Sequence, residues 1–189
     1  MKDFAKNYIV ELSKMLDDLH IINLEKIKKT LLAARDNNQQ IFIFGNGGSA
    51  ATASHIANDL NKGVLGHTGE KNIKRFKVIS LNDNISLLTA WANDTSFDNI
   101  FSEQISNLAN SDDIVIAISA SGNSKNITRA VKNAKEKGCI VIGFAGFDGG
   151  ELEKLADYSL TVKIKKYDIV EDVHLILGHI MTRWFYENI

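Results

Sequence analysis

A doubly wound α/β fold on a five-stranded parallel sheet is the architecture this sequence predicts, on three observations. Apolar positions up to Asn38 recur mostly at three and four, whereas from Ile41 onward short β-branched or aromatic runs alternate with helical patterns. The runs are apolar almost throughout, which implies a sheet covered on both faces, because a half-solvated strand alternates apolar with polar. A length of 189 residues suits one domain of about 100–200 residues.

The elements follow in order. Ile9, Leu12, Leu16 and Leu19, then Leu24, Ile27, Leu31 and Leu32, give two helices, an N-terminal extension over residues 1–38. Residues 39–189 form the α/β core, and the two parts are read together as a single domain. Strands are expected at 41–44, 78–81, 114–118, 140–144 and 159–162, and a final helix over 168–188 carries Val170, Val173, Ile176, Leu177, Ile180 and Met181 as its inward stripe. With no proline in the chain, turns fall to Gly, Asn and Asp. No repeat, low-complexity tract or linker interrupts the pattern.

Composition excludes several functions. Lys+Arg number 22 against 23 Asp+Glu, a net charge of −1, and no basic face or segment is concentrated enough to attract nucleic acid or an anionic membrane. The longest apolar stretch, 139–147, falls far short of the ~20 residues that span a bilayer, and Met1-Lys2-Asp3-Phe4 lacks a signal peptide's basic-then-apolar build. The chain reads as cytoplasmic. The single cysteine, Cys139, closes no intramolecular disulfide and reads as a buried small hydrophobe within an apolar run.

Two loops have the makings of an anion site. Gly45-Asn46-Gly47-Gly48-Ser49 joins the first strand to a helix of small residues, where free backbone N–H groups and the helix dipole favour negative charge. Gly45, Gly47 and Ala50 fit a relaxed dinucleotide fingerprint, but Asp83 lies too far along to serve as its ribose-binding acid, and the loop lacks the Gly-Lys-Ser/Thr ending of an NTPase loop. After the third strand comes Ser119-Ala120-Ser121-Gly122-Asn123-Ser124. Ser124 suits the N-cap of the next helix, and Ser119 and Ser121 offer hydroxyl donors to a phosphoryl group. If the strand order is 2-1-3-4-5, both loops flank one crevice, which suits a small phosphorylated molecule.

Chemistry-bearing side chains lie on two helices. His55 and Asp59, four apart, share a helix face, and the last helix offers Glu171, His174 and His179. Glu171 and His179, eight apart, lie on related faces about two turns apart, within about 80° of each other around the axis. His55, Asp59, Glu171 and His179 are either acid/base partners or a metal site, or they simply cover polar faces. Asn93-Asp94 is either an ordinary turn or a sugar contact, while His20 and His67 stand beside no glycine loop or matching carboxylate.

Gly45 to Ser49 with His55, Asn93-Asp94, Ser119 to Ser124, Asp148-Gly149-Gly150 and Glu171 through His179, in this order, resemble the sugar isomerase (SIS) domain of phosphoheptose isomerases, a flavodoxin-like fold with N-terminal helices. The resemblance implies interconversion of sedoheptulose 7-phosphate and D-glycero-D-manno-heptose 7-phosphate through an enediol, for bacterial surface-heptose biosynthesis, in a homotetramer with interfacial sites. It implies Asp59 and His179 as the acid/base pair with Glu171 beside them, and zinc, one per site, on His55, Asp59, Glu171 and His179. Substrate contacts fall on Asn46, Gly47, Gly48, Ser49, Asn93, Asp94, Ser119, Ala120, Ser121, Ser124, Asp168 and Glu171.

The chain departs from the family pattern at four positions: Asp59 replaces Glu, Glu171 replaces Gln, Ala120 replaces Thr and Gly63 replaces Arg. Asp59 is one methylene shorter than the glutamate it replaces, so a proton it takes must come closer to the helix for the ~2.6–3.2 Å that a general base needs, and a second carboxylate in a metal-free site opposes developing negative charge. Stronger dependence on zinc than in the usual member is therefore expected. The alternatives are a non-catalytic SIS protein that regulates a partner, and an isomerase of another ketose phosphate.

Overall fold

The computed structural model describes residues 1–19, 21–65 and 73–189, with Ile21 described by its backbone alone; His20 and His67 lie outside the described residues. Two helices, α1 (Lys2–Asp17) and α2 (Ile21–Asp36), precede strand β1 (Ile41–Gly45) and helix α3 (Gly48–Asn61). Then come β2 (Val78–Ser80), α4 (Ile85–Asp94), α5 (Ser102–Leu108), β3 (Ile114–Ser119), α6 (Lys125–Glu136), β4 (Ile140–Gly146), α7 (Gly150–Leu155), β5 (Tyr158–Val162) and α8 (Tyr167–Asn188). The five strands expected from the apolar runs are all present, in the parallel order β2-β1-β3-β4-β5.

Alternation along each strand divides the core into two layers. Ile41, Ile43, Ile114, Ile116, Ile142 and Leu160 face α2, α3 and α8, with Ile27, Leu31, Ile56, Leu177 and Phe185 packed over them. Phe42, Phe44, Val115, Ala117, Val141 and Ala145 face the opposite way, under Phe101, Ile105, Ile127, Val131 and Leu152. β1 and β3 are buried at every position, as strands covered on both faces must be. Cys139 is buried, and desolvation pushes its thiol up to about 11, so it packs as a hydrophobe.

The helix pair α3 and α8 positions the site. Gly48 lies beside Glu171, Ile56 beside Gly178, and Gly63 beside Thr182, so the two helices run side by side in the same direction. Gly178 permits the approach: a Cβ there would fall 2.6 Å from Ile56 Cγ1. Between its two ends α8 is pinned to the sheet by His174, which is fully buried, with Nε2 3.0 Å from the Ala145 carbonyl oxygen. A carbonyl only accepts, so Nε2 carries the proton, and burial holds the ring neutral by pushing its pKa down to about 4.

α1 is tied to α8 from outside. The Tyr8 hydroxyl donates to Asp172 at 2.7 Å and Lys166 donates to Glu11, but α1 buries no residue of its own. Among the described residues no helix is long and apolar enough to cross a membrane.

Candidate active site

β1 and β3 are neighbours in the sheet, so the loops at their carboxyl ends open on the same side, at the point where the strand order reverses. They enclose a cavity of about 100 Å³, lined by Asn46 and Ser49 from one loop, Ser119, Ala120, Ser121 and Ser124 from the other, and Tyr167 and Glu171 from the start of α8. Among the described residues no lysine or arginine lines it. An anion there depends on hydroxyls, backbone N–H groups and helix N-termini.

Both loops are held by side-chain pairings that sequence reasoning missed. Asn82 pairs reciprocally with Gly45, its Oδ1 accepting from Gly45 N–H at 3.1 Å and its amide donating to Gly45 O at 2.9 Å. Asn46 and Asn126 exchange two amide hydrogen bonds, at 2.9 and 2.8 Å, across the gap between the loops. The Ser119 and Ser121 hydroxyl oxygens accept from Gly122 N–H and Asn123 N–H, which leaves their own hydrogens available to donate. Ser124 takes the N-cap position of α6, but its side chain makes no cap bond.

The glycine pair after β4 supports the serine loop from behind. Gly122 has φ +65°, and a Cβ there would fall 2.1 Å from the Gly149 carbonyl oxygen, so only glycine fits. The Gly122 carbonyl accepts from Leu152 N–H, and Asn123 Oδ1 accepts from Glu151 N–H. At the cavity rim Phe147, itself at φ +57°, packs edge-on against Tyr167 with ring centres 4.9 Å apart.

Two turns along the same helix pair stands a second group. His55 Nε2 and His179 Nε2 are 2.9 Å apart, and Asp59 Oδ2 lies 3.3 Å from the first and 3.9 Å from the second. The His55 and His179 side chains are 45% and 51% exposed while Asp59 is 18% exposed, so the group opens to solvent on its imidazole side. Asp59 has Gly63 beside it, with 3.7 Å from its Oδ1 to the position a Cβ would take. The arginine expected there from the resemblance is missing from its flank.

These three residues form a possible metal-binding cluster, each offering one ligand atom within 4.8 Å of the others. Donors on a tetrahedral zinc ion at ~2.0–2.1 Å stand about 3.3 Å apart, close to the separations seen here, and two imidazoles with one carboxylate leave a fourth position open.

Glu171 does not join them. The expectation that it completes one four-residue set is corrected within this chain, because eight helical residues place it about 12 Å from His179 along the axis, in the serine-lined cavity beside Gly48. The remaining expected contacts are also dispersed: Gly47 and Gly48 are exposed at the start of α3, Asp168 is exposed beside Tyr167, and Asn93 bonds Asp94 at the exposed end of α4. None of these five residues lines the cavity.

Similarity to known proteins agrees with this geometry. The sequence profile of the SIS domain matches residues 4–146. The chain is 38% identical over 177 residues to a probable phosphoheptose isomerase of Thermoplasma acidophilum, covering 94% of each. It is 35% identical over 188 residues to the phosphoheptose isomerase of Sulfurimonas denitrificans, covering 96% of this chain and 93% of that one. Its fold superposes on a phosphoheptose isomerase from Francisella tularensis with a TM-score of 0.88 at 25% identity, covering 99% of this chain and 96% of the other. For the enzyme of Neisseria gonorrhoeae the TM-score is 0.82 at 30% identity, covering 97% and 95%. With the profile spanning residues 4–146 and these relatives matched over nearly the whole length, the chain belongs to the SIS domain family, among its phosphoheptose isomerases.

Proposed function

We propose that this protein interconverts sedoheptulose 7-phosphate and D-glycero-D-manno-heptose 7-phosphate in the cytoplasm, supplying heptose for bacterial surface polysaccharide, with residues 1–189 acting as one domain. The observation that carries this reading is that His55, Asp59 and His179 meet on the helix pair whose other end lines the hydroxyl-rich cavity.

In this reading Ser119, Ser121 and Ser124, with the main chain at Ala120, take the phosphate. Asn46, Gly47, Gly48, Ser49, Asn93, Asp94 and Asp168 contact the sugar. Asp59 removes the C2 proton of the aldose while His179 gives a proton to the C1 carbonyl oxygen. Loss of the O2 proton and return of a proton to C1 then yield the ketose. His55, Asp59 and His179 would hold a zinc ion, which would supply Lewis-acid polarisation of the carbonyl. One nitrogen cannot ligate and carry a proton at once, so His179 Nε2 serves one role or the other. Removing metal with a chelator should lower turnover and adding zinc should restore it; undiminished turnover of metal-free protein removes the ion from the account.

A homotetramer with interfacial sites fits two observations. Glu171 can approach a His55–Asp59–His179 cluster only across an interface between copies, given its axial separation within one chain. Phe4, Ile9 and Val10 on α1 and Ile180 and Tyr186 on α8 are exposed apolar side chains that an interface would cover.

Incubating the protein with sedoheptulose 7-phosphate in D₂O and following C1 and C2 by NMR tests the function. Deuterium incorporation with appearance of the aldose is expected. Exchange only with a different ketose phosphate reassigns the substrate, and binding without exchange on any candidate makes the protein a sugar-phosphate-responsive regulator instead.

A further inference from the structure

We propose that Asn126 is a positioning residue, which fixes the Asn46 amide and the spacing between the two loops; the inference rests on reading those loops as the substrate site. Asn126 is 2% exposed in the first turn of α6 and lines no part of the cavity, so it reaches a ligand only through its neighbours. Asn46 does line the cavity, and its amide is engaged on one side by both hydrogen bonds from Asn126. An amide offers two hydrogens and two lone pairs, so one hydrogen and one lone pair of Asn46 stay available to a ligand.

A reciprocal amide pair is by itself indifferent to orientation, since flipping both partners preserves both bonds. The main chain removes that ambiguity. Ile127 N–H donates to Asn126 Oδ1 at 3.0 Å, which makes that oxygen the acceptor and leaves Nδ2 to face Asn46 Oδ1. The start of α6 thus dictates which atom of Asn46 is presented at the cavity. Asn82, bonded to Gly45 on the other side, holds the backbone immediately before Asn46. The loop after β1 is therefore gripped from β2 and from α6, and the grip from α6 sets its distance to the serines.

The near-isosteric Asn126→Asp variant tests this. The carboxylate it introduces still accepts from Ile127 N–H and from Asn46, but its second oxygen now opposes Asn46 Oδ1. For sedoheptulose 7-phosphate, KM should rise about tenfold, the effect of one lost buried hydrogen bond, with kcat changed far less and the melting temperature lowered, by the buried carboxylate, but still above the assay temperature. In an Asn46→Ala background the same substitution should raise KM no further. In NMR spectra of the ligand-free protein, the Asn46 side-chain amide proton bonded to Asn126 Oδ1 should be protected from solvent exchange in the parent and unprotected in Asn126→Ala, which lacks that acceptor, an arm that holds whether or not the protein is an isomerase. An unchanged KM, full additivity with Asn46→Ala, or equal protection in both proteins overturns the proposal.

Discussion

The two ends of the α3–α8 pair are built to different degrees. At the cavity end, backbone and side-chain bonds from Asn82, Asn126, Leu152 and Glu151 fix both loops within one chain, and the serines are half-buried or buried. At the other end, two imidazoles meet at 2.9 Å with about half of each side chain exposed, and among the described residues nothing on their solvent side completes the set. The hydroxyl-rich cavity is thus completed by folding within one chain, whereas the imidazole–carboxylate cluster stays open for a ligand, a metal or a second copy. Preorganised binding and an open reacting centre suit an enzyme that must admit and release its substrate.

Removing the reacting end should separate the two most sharply. His179→Ala should lower turnover by about 10²–10⁴, the usual contribution of a positioned acid or base, and leave the melting temperature nearly unchanged because the side chain is half exposed. Equal loss of folding would make the cluster a structural element.

Acid should instead weaken both ends together, through the residue between them. His174 titrates at about 4 in the folded protein against 6.5 for its ordinary value. The unfolded chain therefore binds the proton first, so stability is complete above pH 6.5 and is lost as the pH falls toward 4, by about 3 kcal/mol in total. Urea midpoints at pH 7.5 and 4.5 should show this fall in the parent and less of it in His174→Leu; equal falls would assign it to the carboxylates.

Gly178→Ala touches the spacing of the helices. Its Cβ would meet Ile56 at 2.6 Å, so α3 and α8 must part locally, at a cost of about 1–3 kcal/mol in stability. Because His55 and His179 flank that contact, turnover should fall more than affinity, measured as kcat against KM. Ser121→Ala should do the reverse, raising KM by the equivalent of about 1–3 kcal/mol with kcat and the fold intact.

Much of this was legible in the residues. Apolar runs such as 114–118 located the strands because a buried parallel strand has no polar face to confuse the pattern, and Cys139 within such a run could be placed inside. His55 and Asp59 were found because four residues along a helix is a short-range relation that the tertiary fold cannot alter. Glu171 was joined to His55, Asp59 and His179 by resemblance; the spacing of eight already put it about two turns from His179, and within one chain it lines the serine cavity instead. The Asn46–Asn126 and Asn82–Gly45 pairs left no signal, since each joins residues that only the sheet order brings together. Tyr167 entered the cavity unannounced because its place depends on the turn from β5 into α8 and on Phe147 in a left-handed backbone, which aromatic residues seldom adopt.

The division of labour between the two ends is tested most directly by the binding isotherm of sedoheptulose 7-phosphate on His179→Ala protein. An affinity within about threefold of the parent, less than 1 kcal/mol, alongside turnover reduced to background, is the predicted result. Binding lost together with turnover would contradict it, since the cluster would then be holding the sugar phosphate rather than transforming it.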